Sequence, residues 1–94
     1  MKLTITALNG QGQQSLEKHL EERKTLPKFN PSVIMYNKLF CEEVISVDPF
    51  VLEISVKSAV LSQSIRFEDL RQQIERTMFE NGSSAEDFEI KEVK

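Results

Sequence analysis

The segment Val33–Val56, VIMYNKLFCEEVISVDPFVLEISV, decides the fold that this sequence predicts. In its second part apolar and mostly polar residues alternate, which predicts a strand with one buried face from Phe50 to about Ser58. Asp48-Pro49 is a turn signal. The apolar run before it predicts another extended segment, over about Ser32–Val47. Because so short a connection joins antiparallel strands, the segment predicts a β-hairpin.

Two strands and two helices are predicted around this hairpin. Residues 2–8 and 87–93 alternate apolar and polar side chains, as strands with one buried face do. A helix is predicted over about Gln13–Lys24, and a second one ends at Asn81-Gly82, a pair suited to a helix C-terminus. The second helix has apolar residues at helical spacing, namely Phe67, Leu70, Ile74 and Met78.

The resulting order, strand-helix-strand-strand-helix-strand, predicts a ferredoxin-like α+β fold, a two-layer sandwich in one domain over residues 1–94. Right-handed crossovers would place both helices on one face of an antiparallel sheet with the spatial strand order 4-1-3-2. The sequence leaves the structure of residues 59–66 open. Leu61, Gln63 and Ile65 alternate, so a short extra strand near 59–66 would make the sheet a longer meander.

Composition narrows the classes of function. The net charge of −3 argues against nucleic acid and against anionic membranes as partners. The start Lys2-Leu3-Thr4-Ile5-Thr6 lacks the apolar stretch of a signal peptide, and no run approaches the ~20 apolar residues of a membrane span. We therefore expect a cytoplasmic protein with no membrane association.

The main functional signal is that the first extended segment has apolar residues at both odd and even positions, so that both faces of a strand would be apolar. Val33, Met35 and Cys41 share the parity predicted to face the helices, which makes Cys41 a core residue. The other parity would place an apolar row on the open face of an edge strand. That row consists of Ile34, Tyr36, Phe40 and Val44.

An apolar row of this kind on an edge strand predicts a contact with another protein, with a symmetric homodimer as the leading case. On this hypothesis the chain is a small, non-enzymatic interaction or oligomerisation domain. The alternative is that residues 59–66 or the Pro27–Pro31 loop cover the row within the same molecule. Periodicity does not distinguish between the two.

The second functional hypothesis rests on the turn between the first strand and the first helix. Backbone N–H groups at a helix N-terminus attract anions, and glycines allow close approach. The turn therefore suggests a phosphate- or nucleotide-binding domain, or a phosphohydrolase, although it matches neither a Walker A nor a dinucleotide motif. The anion-binding candidates are Gly10, Gly12, Gln13, Ser15 and Lys18.

No catalytic residue, metal ligand or cofactor is predicted. His19 is the single histidine, and its neighbours Glu22 and Arg23 look like helix surface, so no partner for acid–base work is evident. Glu42 and Glu43 would lie on opposite faces of a strand and so could not act as a carboxylate pair. A single cysteine excludes a site with several thiolate ligands.

Overall fold

A computed structural model describes residues 1–27, 29–57 and 65–93. Over these residues the protein is an α+β molecule with three helices and one four-stranded antiparallel sheet. The elements are β1 (Lys2–Ala7), α1 (Gly10–Thr25), α2 (Pro31–Leu39), β2 (Phe40–Val47), β3 (Phe50–Val56), α3 (Phe67–Glu80) and β4 (Phe88–Val93). The strand order across the sheet is β2-β3-β1-β4, so β1 and β3 are central.

The core is built on one face of the central strands. Leu3 lies opposite Ile54 and Ile5 opposite Leu52 in the β1–β3 register, and directly opposite residues share a face. Each such buried aliphatic side chain contributes about 1.5–3 kcal/mol. The buried apolar cluster comprises Leu3, Ile5, Ala7, Leu16, Phe50, Leu52, Ile54, Leu70, Met78 and Phe88.

Helix α3 ends where the sequence predicts, and its geometry explains why. Gly82 has φ of +96°, a left-handed conformation that glycine adopts without a steric penalty. The N–H of Ser83 donates to the carbonyl of Met78, and that of Gly82 donates to the carbonyl of Phe79. These are the two bonds of a Schellman motif, which satisfies carbonyls left unpaired at the helix end.

The predicted extended segment Ser32–Val47 is wrong in its first half, because Pro31–Leu39 forms helix α2. Proline is well suited to the first position of a helix, where no N–H is needed. The half-buried Val33, Tyr36 and Leu39 recur every three residues, as a helix face does. A helix therefore explains why apolar residues occur at both odd and even positions in this segment. A second apolar face of the sheet is not needed to explain them.

The faces of β2 before its bulge are also the reverse of the prediction. Phe40, Glu42 and Val44 lie opposite Val56, Ile54 and Leu52. Because Ile54 and Leu52 are buried, this parity faces the helices. Cys41 is exposed and is therefore not a core residue. The β2–β3 register shifts between Val44 and Ser46, so Ile45 is a bulge.

The α+β class and the antiparallel hairpin of β2 with β3 are confirmed. The extra strand proposed near 59–66 falls mostly on residues 58–64, outside the described part of the chain. Its last two residues, Ile65 and Arg66, are described and belong to no strand. Ile65 is instead half-buried against the core cluster.

Candidate functional site

The helix-facing side of β2 carries one carboxylate, Glu42, whose side chain is only 10% exposed. His19 Nε2 lies 3.0 Å from its Oε1, and Arg23 Nε lies 3.2 Å from its Oε2. The Tyr36 hydroxyl donates a hydrogen bond to the same Oε1. We call these four residues the Glu42 cluster.

Three elements bring the Glu42 cluster together. His19 and Arg23 are four residues apart on α1, so they share one face of that helix. Tyr36 comes from α2, where the Arg23 guanidinium lies 3.3 Å from its ring centroid, a cation–π contact. Arg23 also donates to the side-chain oxygen of Asn37 at 3.2 Å. The cluster therefore ties α1 and α2 to the edge of the sheet.

The cluster keeps Glu42 ionised and Tyr36 neutral. Burial on its own would raise the pKa of Glu42, but the hydrogen bonds from His19 and Tyr36 and the charges of His19 and Arg23 outweigh it, so this pKa is lowered. Burial, followed by the charge and hydrogen bond of Glu42, raises the pKa of the Tyr36 hydroxyl. The hydroxyl is thus protonated at neutral pH and donates to Glu42.

The lowered pKa of Glu42 predicts a pH-dependent contribution to stability. A carboxyl whose pKa is lowered by folding stabilises the protein above its unfolded value, here 4.5, and loses that contribution as the pH falls through the folded-state value. The difference in unfolding free energy between the unmodified protein and Glu42→Gln is therefore expected to be largest near neutral pH and to narrow as the pH falls below 4.5. Urea unfolding at several pH values measures it.

Glu43→Gln is the matched control for this measurement. Glu43 is the next residue of the same strand, but it is exposed on the opposite face and takes no part in the Glu42 cluster. If the two variants changed stability in parallel across the whole pH range, the linkage assigned to Glu42 would be wrong.

A cavity of about 140 Å³ lies beside the Glu42 cluster, between α1, α3 and the sheet. His19 and Tyr36 line it on the side of the cluster, and Gln73 and Thr77 line it from α3. The remaining lining is apolar and consists of Ile5, Leu16, Phe40, Ile54, Leu70, Ile74 and Met78. The arrangement offers a half-open, largely apolar space with an imidazole at its boundary.

The structure separates the four residues of the predicted apolar row. Ile34 and Tyr36 lie on α2, whereas Phe40 and Val44 lie on β2. Ile34 and Val44 are 40% and 41% exposed. Tyr36 and Phe40 are half-buried, with ring centroids 4.9 Å apart. They therefore form no single row on the open sheet face, where β2 places Cys41 instead.

A different apolar surface lies along α2. Phe29, just before this helix, is 89% exposed, and Met35 is 58% exposed. We call Phe29, Pro31, Ile34 and Met35 the α2 surface. Next to it is an open groove of about 410 Å³ lined by Pro31, Met35, Tyr36, Leu39 and Phe40.

The predicted anion-binding residues are at the start of α1, where other groups already occupy the helix end. The Asn9 side chain caps the helix by accepting from the Gly12 N–H at 3.0 Å. Asn9 Nδ2 also donates to the Asp87 carboxylate at 2.8 Å. Ser15 is buried, with its hydroxyl paired to that of Ser83, and Lys18 is exposed. The side-chain oxygen of Asn9 and the carboxylate of Asp87 therefore lie where a phosphate would bind.

The pairing of His19 with Glu42 is the feature that the sequence did not reveal. The two residues are 23 positions apart, and no motif links them. Their contact depends on α2 and on the face that Glu42 occupies, both of which were predicted otherwise. The sequence offered one signal of this site. Glu42 is a polar residue between two apolar ones, Phe40 and Val44, on the same face of a strand.

Over residues 1–27, 29–57 and 65–93, no group of three or more histidine, cysteine or acidic side chains is arranged to hold a metal ion. In the same described ranges, none of the helices has both the length and the apolarity needed to cross a membrane. Comparison with protein-family models, with curated proteins and with solved structures finds no match.

Proposed function

We propose that this chain is a non-enzymatic interaction domain that self-associates as a symmetric dimer through the α2 surface and the adjoining edge of β2. The observation that carries the proposal is the 89% exposure of Phe29 beside an open apolar groove. Large exposed apolar patches on a small protein often mark interaction sites. Burying such a patch against a partner removes it from water.

The presence of both an exposed ring and a groove on this part of the molecule supports a second copy of the chain as the partner. A two-fold contact presents the same patch from both molecules, so each must offer both a projection and a recess. Phe29 is the projection, and the groove between α2 and the start of β2 is the recess. In the dimer, each Phe29 ring would enter the groove of the other molecule.

The edge of the sheet supports the same contact. Among the described residues, strand β2 pairs with another strand on one side only, and an unpaired strand edge can receive a partner. Val44, Ile45 and Val47 on this strand are 41%, 49% and 72% exposed. As in the prediction from the sequence, the proposed contact includes edge strand β2. The rest of the contact is now formed by α2 and not by the open face of the sheet. That face carries Thr4, Thr6, Glu43, Glu53 and Ser55.

Phe29→Asp is expected to weaken dimerisation by about 10- to 100-fold, the scale of an aromatic anchor residue at an interface. The measurement is solution mass by light scattering across a dilution series. Leu8→Asp is the control, because Leu8 is 54% exposed but follows β1 at the end of the sheet remote from Phe40. A monomer at every concentration, or equal effects of the two variants, would rule out this dimer.

We also propose that the fold is a ferredoxin-like sandwich with α2 inserted before its second strand. The sheet order β2-β3-β1-β4 supports this assignment. Leu16 of α1 and Leu70 and Met78 of α3 belong to one buried cluster, which supports two helices on one face. An experimental structure with these two helices on opposite faces would refute it.

The anion-binding alternative has less support than the interaction domain. Asn9 occupies the Gly12 N–H, and the carboxylate of Asp87 repels an incoming anion. A titration with inorganic phosphate, followed by the amide shifts of Gly10, Gly12 and Gln13, decides it. Saturable shifts at these residues would favour the alternative, whereas no shifts at millimolar phosphate would end it.

A further inference from the structure

The cavity beside the Glu42 cluster has the size of a small-molecule site. Its volume of about 140 Å³ is close to that of an engineered apolar cavity of about 150 Å³ that stays dry and admits benzene. Side chains of the sheet and of α1 and α3 form its apolar wall, including Ile5, Leu16 and Leu70. An apolar molecule of about six to eight non-hydrogen atoms matches such a space.

One polar group on this boundary is held in a defined orientation. His19 lines the cavity while its Nε2 is 3.0 Å from Glu42 Oε1. A carboxylate accepts hydrogen bonds and does not donate them, so Nε2 carries a proton, and in the neutral form of the ring Nδ1 is an acceptor. Within the described residues no group hydrogen-bonds to Nδ1.

The other polar groups on the wall are differently placed. The Thr77 hydroxyl already donates to the Gln73 carbonyl at 3.1 Å, and the Tyr36 hydroxyl donates to Glu42. The Thr77 and Tyr36 oxygens and the Gln73 side-chain oxygen can still accept hydrogen bonds, but His19 Nδ1 is the acceptor whose ring is also held in place by Glu42. Apart from His19, whose Nε2 is already paired with Glu42, no described lining residue can carry a positive charge.

We propose that this cavity binds a small aromatic or branched aliphatic alcohol, whose hydrocarbon part fills the apolar space and whose hydroxyl donates to His19 Nδ1. Glu42 acts here as a positioning residue, because it fixes the tautomer and the orientation of the imidazole. The cavity lies between α1, α3 and the sheet, and it shares only Tyr36 and Phe40 with the groove of the proposed dimer.

The probes are phenol, which has a ring and a hydroxyl donor, and toluene, which has a ring of similar size without one. For ligands this small we expect phenol to bind with a Kd of about 1 mM and toluene about tenfold more weakly. Methyl shifts in a ¹³C spectrum report the location. Saturable phenol shifts confined to Ile5, Leu16, Ile54, Leu70 and Met78 are expected. Shifts at the surface alone, or equal affinity for the two probes, would overturn the proposal.

Two variants separate the apolar space from the hydroxyl contact. Thr77→Leu adds volume at the wall and is expected to weaken both probes by at least about fivefold, since the cavity loses room. His19→Leu is expected to remove the preference for phenol over toluene while toluene still binds. Gln14→Leu, an exposed change elsewhere on α1, is the control. Retained phenol preference in His19→Leu would contradict the hydrogen bond. The comparison of the two probes in the unmodified protein needs no variant, so the proposal stays testable if a variant fails to fold.

Discussion

Replacing Gly12 with alanine is expected to destabilise the protein by about 3 kcal/mol. A Cβ atom at Gly12 would lie 2.0 Å from the backbone oxygen of Asp87 and 3.0 Å from its carbonyl carbon. Because both contacts are backbone atoms, relief requires that α1 or the segment before β4 move. The N–H of Leu8 donates to that same Asp87 oxygen at 2.9 Å, so a shift also disturbs the connection from β1.

Gly10→Ala is the matched control for this prediction. Gly10 begins the same helix, and a Cβ there meets no atom within 4 Å. Alanine has a higher helix propensity than glycine and restricts the unfolded chain, so Gly10→Ala should be neutral or stabilise by up to about 1 kcal/mol. Urea unfolding of the two variants measures the difference. Equal stabilities would mean that the close approach of Asp87 to α1 is not as described.

Replacing Arg23 with alanine is expected to cost about 2–4 kcal/mol, with the loss concentrated in α2. The variant removes the ion pair to Glu42, the contact with the Tyr36 ring and the hydrogen bond to Asn37. Glu42 would then remain largely buried with one fewer cationic partner. Since these contacts join α2 to the rest of the molecule, we expect α2 to open more readily than β1.

Hydrogen exchange resolved by residue provides the test for Arg23. In Arg23→Ala the amides of Tyr36–Leu39 should exchange faster, while those of the central strands follow only the global loss of stability. Lys24→Ala is the control, because Lys24 is the next residue of α1 and is exposed. Uniform acceleration across the whole protein would show that Arg23 does not hold α2 in particular.

The regular elements could be predicted from the sequence because each has a one-dimensional signal. The alternation of Phe50–Val56 and the helical spacing that ends at Gly82 are local properties, and both elements are present. Helix α2 could not be predicted in this way. Its residues are apolar at so many positions that the periods of a strand and of a helix fit equally well. The error in α2 was accompanied by a reversal of the faces assigned to Phe40–Val44 of β2.

The contacts of the Glu42 cluster could not be predicted from the sequence, for a related reason. His19 and Glu42 were both considered, but each was matched with its neighbours in sequence: His19 with Glu22 and Arg23, and Glu42 with Glu43. Their real pairing is a long-range contact that depends on the packing of α1 over the edge of the sheet. The opposite faces predicted for Glu42 and Glu43 agree with the structure, since one faces the helices and the other is exposed.

The bulge at Ile45 limits how the protein can aggregate. Phe40–Val44 pairs with β3 in regular register, and the register then shifts before Ser46. Amyloid spines need about six or seven uninterrupted residues in register, and a bulge bends the backbone away from an incoming chain. In concentrated solution we therefore expect discrete particles in place of growing fibrils. Deleting Ile45 would restore an unbroken template and with it a tendency to seed fibrils.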